Sequence, residues 1–191
     1  MTREEYKLHY MEDVNVHKSA ESITTQVLNN LNNGFVFDDV SMDSKYFTLG
    51  DIKMQKKGHK TKYIDVKDDD RIKDTGNFHV ESGGYSKIYG TKKKGWIDSN
   101  YDYVAVISQD EGIIWILSFK RLKEVYKDTD LTHGRKVTSD FWDNVKYGYT
   151  IPISSAIELG VVLAKIEYEF DDLWEEYMPT DYKSKNKLKA S

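Results

Sequence analysis

Residues 46–70 read YFTLGDIKMQKKGHKTKYIDVKDDD. Two runs suited to strands, Tyr46–Gln55 and Thr61–Asp68, flank a Lys- and His-rich stretch with Gly58 at its middle. Gly58 is the natural tip of a turn, so the segment reads as a β-hairpin. In a hairpin centred on Gly58, the numbers of facing positions add to about twice 58. Asp51 and Asp65 meet that condition, which predicts two carboxylates nearly opposite each other. Directly opposed side chains have Cβ atoms about 4.5–5.5 Å apart. Like charges that close destabilise a sheet unless a cation sits between them. Lys67 lies two residues past Asp65 and points to the same face, whereas Ile64 and Val66 point to the other, toward a core.

Two carboxylates and a lysine on one face, with apolar residues behind, suit metal-assisted phosphodiester cleavage. Carboxylate oxygens hold hard cations such as Mg²⁺ or Mn²⁺. The metal polarises the scissile phosphate and lowers the pKa of an attacking water. A lysine positions that water or offsets developing negative charge.

Asp51, one hairpin of spacing, then Ile64-Asp65-Val66-Lys67 resembles the signature of the PD-(D/E)xK nuclease superfamily. Gly50 stands where that signature usually has Pro, and Asp65 where Glu is more usual. The likeness runs from about Ser19 to Val125. Further on, Thr75-Gly76-Asn77-Phe78 followed by Glu81, and later Gly95-Trp96, resemble segments of phage and mobile-element members. The resemblance implies an α/β (α+β) fold: a restriction-endonuclease-like core with a central mixed β-sheet flanked by helices. It implies DNA as substrate, a homodimer that cuts both strands, and a bacterial or phage origin. It also implies roles. Asp51, Asp65 and the carbonyl of Val66 would bind the metal, Lys67 would orient or activate water, and Glu21, on the preceding helix, would be an auxiliary ligand.

The chain has 191 residues and reads as a single domain over 1–182, with a core over 19–127, a helical extension over 128–182 and a basic tail over 183–191. It has no cysteine, which excludes disulfides, thiolate zinc sites and cysteine nucleophiles. The five histidines show no zinc-ligand spacing. The N-terminus is charged and no apolar run reaches the about 18 residues of a membrane span. The expectation is a cytoplasmic protein with no membrane partner. A net charge of −4 argues against a purely electrostatic nucleic-acid binder. Yet Lys53 to Lys94 carries twelve Lys and Arg against six acids. Lys53, Lys56, Lys87, Lys92, Lys93 and Lys94 are candidates for phosphate contacts; a solvated surface accounts for them equally well.

Around the hairpin, Ile23, Val27 and Leu31 predict a helix over Ser19–Asn32, ended by Gly34. Phe35–Val40 reads as a short strand, with Asp38 and Asp39 as turn acids. Asp68-Asp69-Asp70 reads as a strand end, since consecutive acids alternate faces. Phe78–Glu81 reads as a strand, with Glu81 a candidate for metal or water binding. Tyr85–Tyr89 reads as a short helix followed by a basic loop. Tyr101–Ser108 is apolar enough for a central strand, and Ile113–Ser118 is its return. Phe119–Lys127 has helical spacing. Thr129–Lys146 reads as irregular, with Phe141 and Trp142 as packing anchors. Tyr147–Ile153 reads as an edge strand, and Ser154–Tyr168 and Phe170–Tyr177 as helical. The alternative to an enzyme is a catalytically inactive protein that keeps a nuclease fold and binds nucleic acid or inhibits. A blander alternative is an assembly protein of a mobile element, which requires Asp51 and Asp65 to be far apart.

Overall fold

The turn at Gly58 forms as its sequence dictates. In the computed structural model, which describes residues 20–127, 135–141 and 144–169, Gly58 has φ +80° and the His59 amide donates to the Lys56 carbonyl. Strands β2 (Ile52–Gln55) and β3 (Lys62–Asp68) run antiparallel on either side, with Ile52 facing Ile64. That register sets Asp51 level with Asp65.

The first arm is shorter than its composition suggests. Residues Ser44–Tyr46 form a 3₁₀ turn capped by the Asp43 side chain, which accepts from the Lys45 amide. The chain then reaches β2 through Gly50 at φ +136°. A Cβ at Gly50 would lie 2.8 Å from the Ile64 carbonyl oxygen. Only glycine holds that backbone without strain. Gly50→Ala is therefore expected to destabilise the fold by about 1–3 kcal/mol from backbone strain alone. Chemical denaturation checks this; an unchanged midpoint would show that the loop relaxes freely.

The central sheet has six strands in the order β1-β2-β3-β6-β7-β10. β1 is Val36–Asp39, β6 Tyr103–Ser108, β7 Ile113–Ser118 and β10 Val162–Glu167. β3 pairs parallel with β6, and every other pair is antiparallel, so the sheet is mixed. Helix α1 (residues 20–30) covers one face. There Ala20, Val27 and Leu28 pack with Ile52, Ile64, Val66, Ala105, Ile107 and Ile114. Leu31 falls past the end of the helix and is exposed.

The other face meets a second sheet, in the order β5-β4-β9-β8. β4 is Asn77–Ser86, β5 Thr91–Lys94, β8 Arg135–Phe141 and β9 Asn144–Pro152. Phe78, Val80 and Ile151 from this sheet bury against Val104, Val106, Trp115 and Leu117 from the first. Helices α2 (Ile72–Thr75), α3 (Phe119–Lys127) and α4 (Ile153–Glu158) add Ile72, Leu122, Val125 and Ala156 to the same core. The architecture is α+β in three layers, with a mixed central sheet and few helices.

Several expectations need correction. Tyr85–Tyr89 is not a helix: β4 runs through to Ser86 and turns into β5. The glycines, which would weaken a helix, admit close strand approach instead. A Cβ at Gly84 would lie 2.5 Å from the Val145 carbonyl oxygen, and one at Gly95 would lie 2.2 Å from that of Glu81. Residues 147–152 belong to β9, which lies inside its sheet between β4 and β8 and ends at Pro152, and Ile153 opens α4. Ser154–Tyr168 is helical only to Glu158. Gly160 at φ +66° stops the helix, and 162–167 alternate exposed and half-buried positions as an outer strand paired to β7. The segment Thr129–Lys146, expected to be irregular, contains β8, and the expected helical extension over 128–182 is largely strand among the described residues. Residues 1–19, Trp142, Phe170–Tyr177 and the 183–191 tail lie outside the described residues. No described helix is long and apolar enough to cross a membrane.

Candidate active site

Strand alternation places Asp65 and Lys67 on the face of β3 that looks toward the second sheet. Their partners on β6 are Val104 and Val106, both in the core between the sheets. Ile64 and Val66 face α1, as alternation requires. Asp65 is buried, with its side chain 5% exposed, and Lys67 Nζ stands 2.7 Å from Asp65 Oδ2. Among the described residues no hydrogen bond of good geometry reaches that oxygen. It is a buried acceptor beside the Lys67 ammonium.

Asp51 sits where β2 stops pairing with β3. Its amide donates to the Ile64 carbonyl at 2.9 Å, and its Oδ2 accepts from the Val66 amide at 2.8 Å. The carboxylate thus takes a strand donor that β2 no longer reaches. Burial and then the Asp65 charge push the Asp51 carboxyl up to about 6, against the pull of the Val66 amide and Lys67. The two like charges oppose each other's ionisation, so Asp51 gives up its proton late. For Lys67, burial disfavours the ammonium, but the charges of Asp65 and then Asp51 outweigh it and raise its pKa. It stays protonated.

Glu21, on the first turn of α1, lies within electrostatic reach of Asp51. Burial and then the Asp51 charge raise it to about 7; a hydrogen bond with the Ser41 side chain opposes them, and Asp39 adds to the rise. A glutamate merely favoured by the helix dipole would not feel Asp51. Tyr101 is a member that sequence reasoning missed. Burial and then the Asp65 charge raise its phenol. Its ring packs on Phe119 at 5.2 Å between centroids. It comes to the site only because β6 lies beside β3, a non-local pairing with no local signal.

The donor set fits a hard divalent cation in part. The coupled acids Asp51 and Asp65, one with an oxygen lacking a hydrogen bond, supply oxygen ligands of the right kind. The Val66 backbone adjoins Asp51, to whose Oδ2 its N–H donates. Among the described residues, however, no group of three or more His, Cys, Asp or Glu forms a metal cage by itself. The fit is for two carboxylates plus backbone oxygen.

Other candidates are placed elsewhere. Glu81 pairs with Lys146 at 3.2 Å in the second sheet. Gly76, at φ +63°, caps α2, and Phe78 is a core residue edge-on to Trp115, so the Thr75–Glu81 segment serves the fold. Trp96 packs near Phe119 with centroids 6.2 Å apart. Asp68 accepts from Gln109 at 2.8 Å and Asp69 pairs with Arg71 at 3.2 Å. Lys53 pairs with Asp38 at 3.8 Å, and Lys56 lies 4.6 Å from the centre of the Phe35 ring. Lys92 and Lys94 are exposed on β5, and Lys93 donates to Asn144 at 3.1 Å. Gly50 explains the absent proline before Asp51: proline fixes φ near −65°, which a backbone at +136° excludes. No family model, curated protein or solved structure matches the chain.

Proposed function

We propose that the chain is a divalent-metal-dependent DNA endonuclease of the PD-(D/E)xK type. The observation that carries this reading is the register of β2 on β3. It sets Asp51 across from Asp65, with Lys67 in contact with Asp65 and Glu21 of α1 within electrostatic reach of Asp51. The β1-β2-β3 meander with β6 parallel to β3, behind a preceding helix, agrees with a restriction-endonuclease-like core.

In this reading Asp51, Asp65 and the Val66 carbonyl hold Mg²⁺ or Mn²⁺. Bound there, the ion supplies a polarised phosphate and a more acidic water. Lys67 keeps its proton and orients the nucleophile or steadies charge on the phosphate. Glu21, raised to about 7, accepts a proton near neutral pH or serves as a further ligand. Two copies acting together would cut both strands.

One observation favours a second reading, an inactive nuclease fold that only binds nucleic acid. Asp65 is nearly enclosed and already neutralised by Lys67. Thermal denaturation in Mn²⁺ separates the two. A working site gains about 2.7 kcal/mol at a hundred times Kd. A melting temperature unmoved by millimolar Mn²⁺ or Mg²⁺ would contradict the endonuclease reading.

A further inference from the structure

We propose that the free end of the second sheet binds an unpaired DNA strand. The sheet is divided by a bulge at Glu81/Gly83. Before it, Phe78 and Val80 pack into the core; after it, all four residues of β5 are exposed. β9 crosses this boundary without a break in its pairing to β8. Tyr147 therefore keeps the face of Tyr149 and Ile151, but is 40% exposed rather than buried. Register places Tyr85 beside Val145 and Lys92, and Gly83 beside Tyr147 and Lys94. Gly83, buried against β5, has no side chain, so none stands between Tyr85 and Tyr147 there. At the hairpin tip Ile88 and Tyr89 are 62% and 77% exposed.

The chemistry of this surface selects a polyanion with apolar faces. Residues 82–95 hold four lysines and no acid. Among the described residues no ion pair engages Lys92 or Lys94 on the tyrosine face. Lysines alone would serve any phosphate backbone. Exposed tyrosines interleaved with them add stacking platforms, which only unpaired bases can use, because a duplex hides its base faces. The choice of DNA rests on the endonuclease reading. The preference for an unpaired strand rests on the tyrosines, and would direct cutting to branched, flapped or melted DNA.

The test is fluorescence anisotropy with a labelled oligothymidylate, a duplex of equal length and an oligouridylate, all in EDTA so that nothing is cut. Tighter binding of oligothymidylate than of duplex is expected. Tyr85→Ala and Tyr147→Ala should each weaken it roughly five- to hundred-fold at unchanged salt dependence. Tyr85→Phe should bind like the parent, since the ring does the stacking. Lys92→Ala and Lys94→Ala should each lower the salt slope by about 0.7. These positions are exposed, and unchanged melting temperatures confirm folding. Duplex bound as tightly as single strand, oligouridylate alone bound, or alanine variants without effect would each overturn the inference. Plasmid cleavage run in parallel separates the two ideas. Cutting without tyrosine-dependent binding leaves the nuclease and removes this surface, and binding without cutting does the reverse.

Discussion

Lys67→Ala is expected to lower DNA cleavage by about 10²–10⁴-fold while leaving divalent-metal binding in place. Lys67 Nζ is the cation 2.7 Å from Asp65 and the only lysine reaching Asp65 among the described ion pairs. It contributes no oxygen, so it has no part in holding a hard metal. Its removal also has a thermodynamic signature. Asp65 would be left nearly enclosed beside Asp51, and the pair would lose its neutralising charge. Breaking a fully buried pair costs about 3–5 kcal/mol. Lys67 is itself 34% exposed, so screening reduces this to about 1–3 kcal/mol. Without metal the variant should melt below the parent at pH 8. Adding Mn²⁺ should then restore more stability than the parent gains, because the ion replaces a missing charge. Single-turnover cleavage and melting with and without Mn²⁺ read both effects. Undiminished cleavage would remove Lys67 from the chemistry.

Asp51→Asn should abolish cleavage and yet stabilise the metal-free protein above neutral pH. Asparagine keeps an oxygen to accept the Val66 amide, so the strand contact survives. What disappears is a charge the fold does not favour. Asp51 is raised from 3.8 to about 6 by burial and by Asp65. Between pH 4 and pH 6 the folded protein therefore holds a proton that the unfolded chain has released. Stability contributed by this group is full at low pH and falls as pH rises through that window. One pKa unit corresponds to about 1.4 kcal/mol, so a charged Asp51 costs on the order of 1–3 kcal/mol at pH 8. For a chain of this size that is roughly 2–10 °C in Tm. The variant should match the parent near pH 4, exceed it at pH 8, and lose any stabilisation by Mn²⁺. Asp68, raised to about 6, keeps its downward slope in both proteins, whereas the slope from Glu21 shrinks in the variant with the loss of the Asp51 charge. Equal melting temperatures at pH 8 would mean that the carboxyls are more solvated than their burial indicates.

The hairpin was legible because its information is local. A glycine tip and strict alternation determine which side chains face each other, and Ile52 does face Ile64. α1, β6, β7 and α3 were legible for the same reason, from periodicity within each segment. The second sheet was not. Its strands are joined by pairings between β4 and β9 that are some seventy positions apart, as with Phe78 and Ile151. Glycines 83, 84 and 95 look like helix breakers in isolation, and only the approach of Val145 and Glu81 shows why they are needed. β10 was hidden by the apolar residues of α4 running straight into it, with Gly160 the one sign of the break. The facing of Asp51, Asp65 and Lys67 followed from strand register, whereas Glu21 was a candidate through the resemblance alone. Tyr101 carried neither signal, because nothing near it in sequence points to Asp65. The lysines divided similarly. Charge composition marked the region, but only the fold distinguishes Lys53, paired with Asp38, from Lys92 and Lys94 on an exposed strand.

The most direct measurement is nicking of supercoiled plasmid and cleavage of a branched DNA in Mg²⁺ or Mn²⁺, with Asp65→Ala alongside. The expected result is cleavage that EDTA abolishes and that the variant lacks while remaining folded. Cleavage that survives Asp65→Ala, or no metal-dependent cleavage of either DNA by the parent, would contradict the endonuclease assignment.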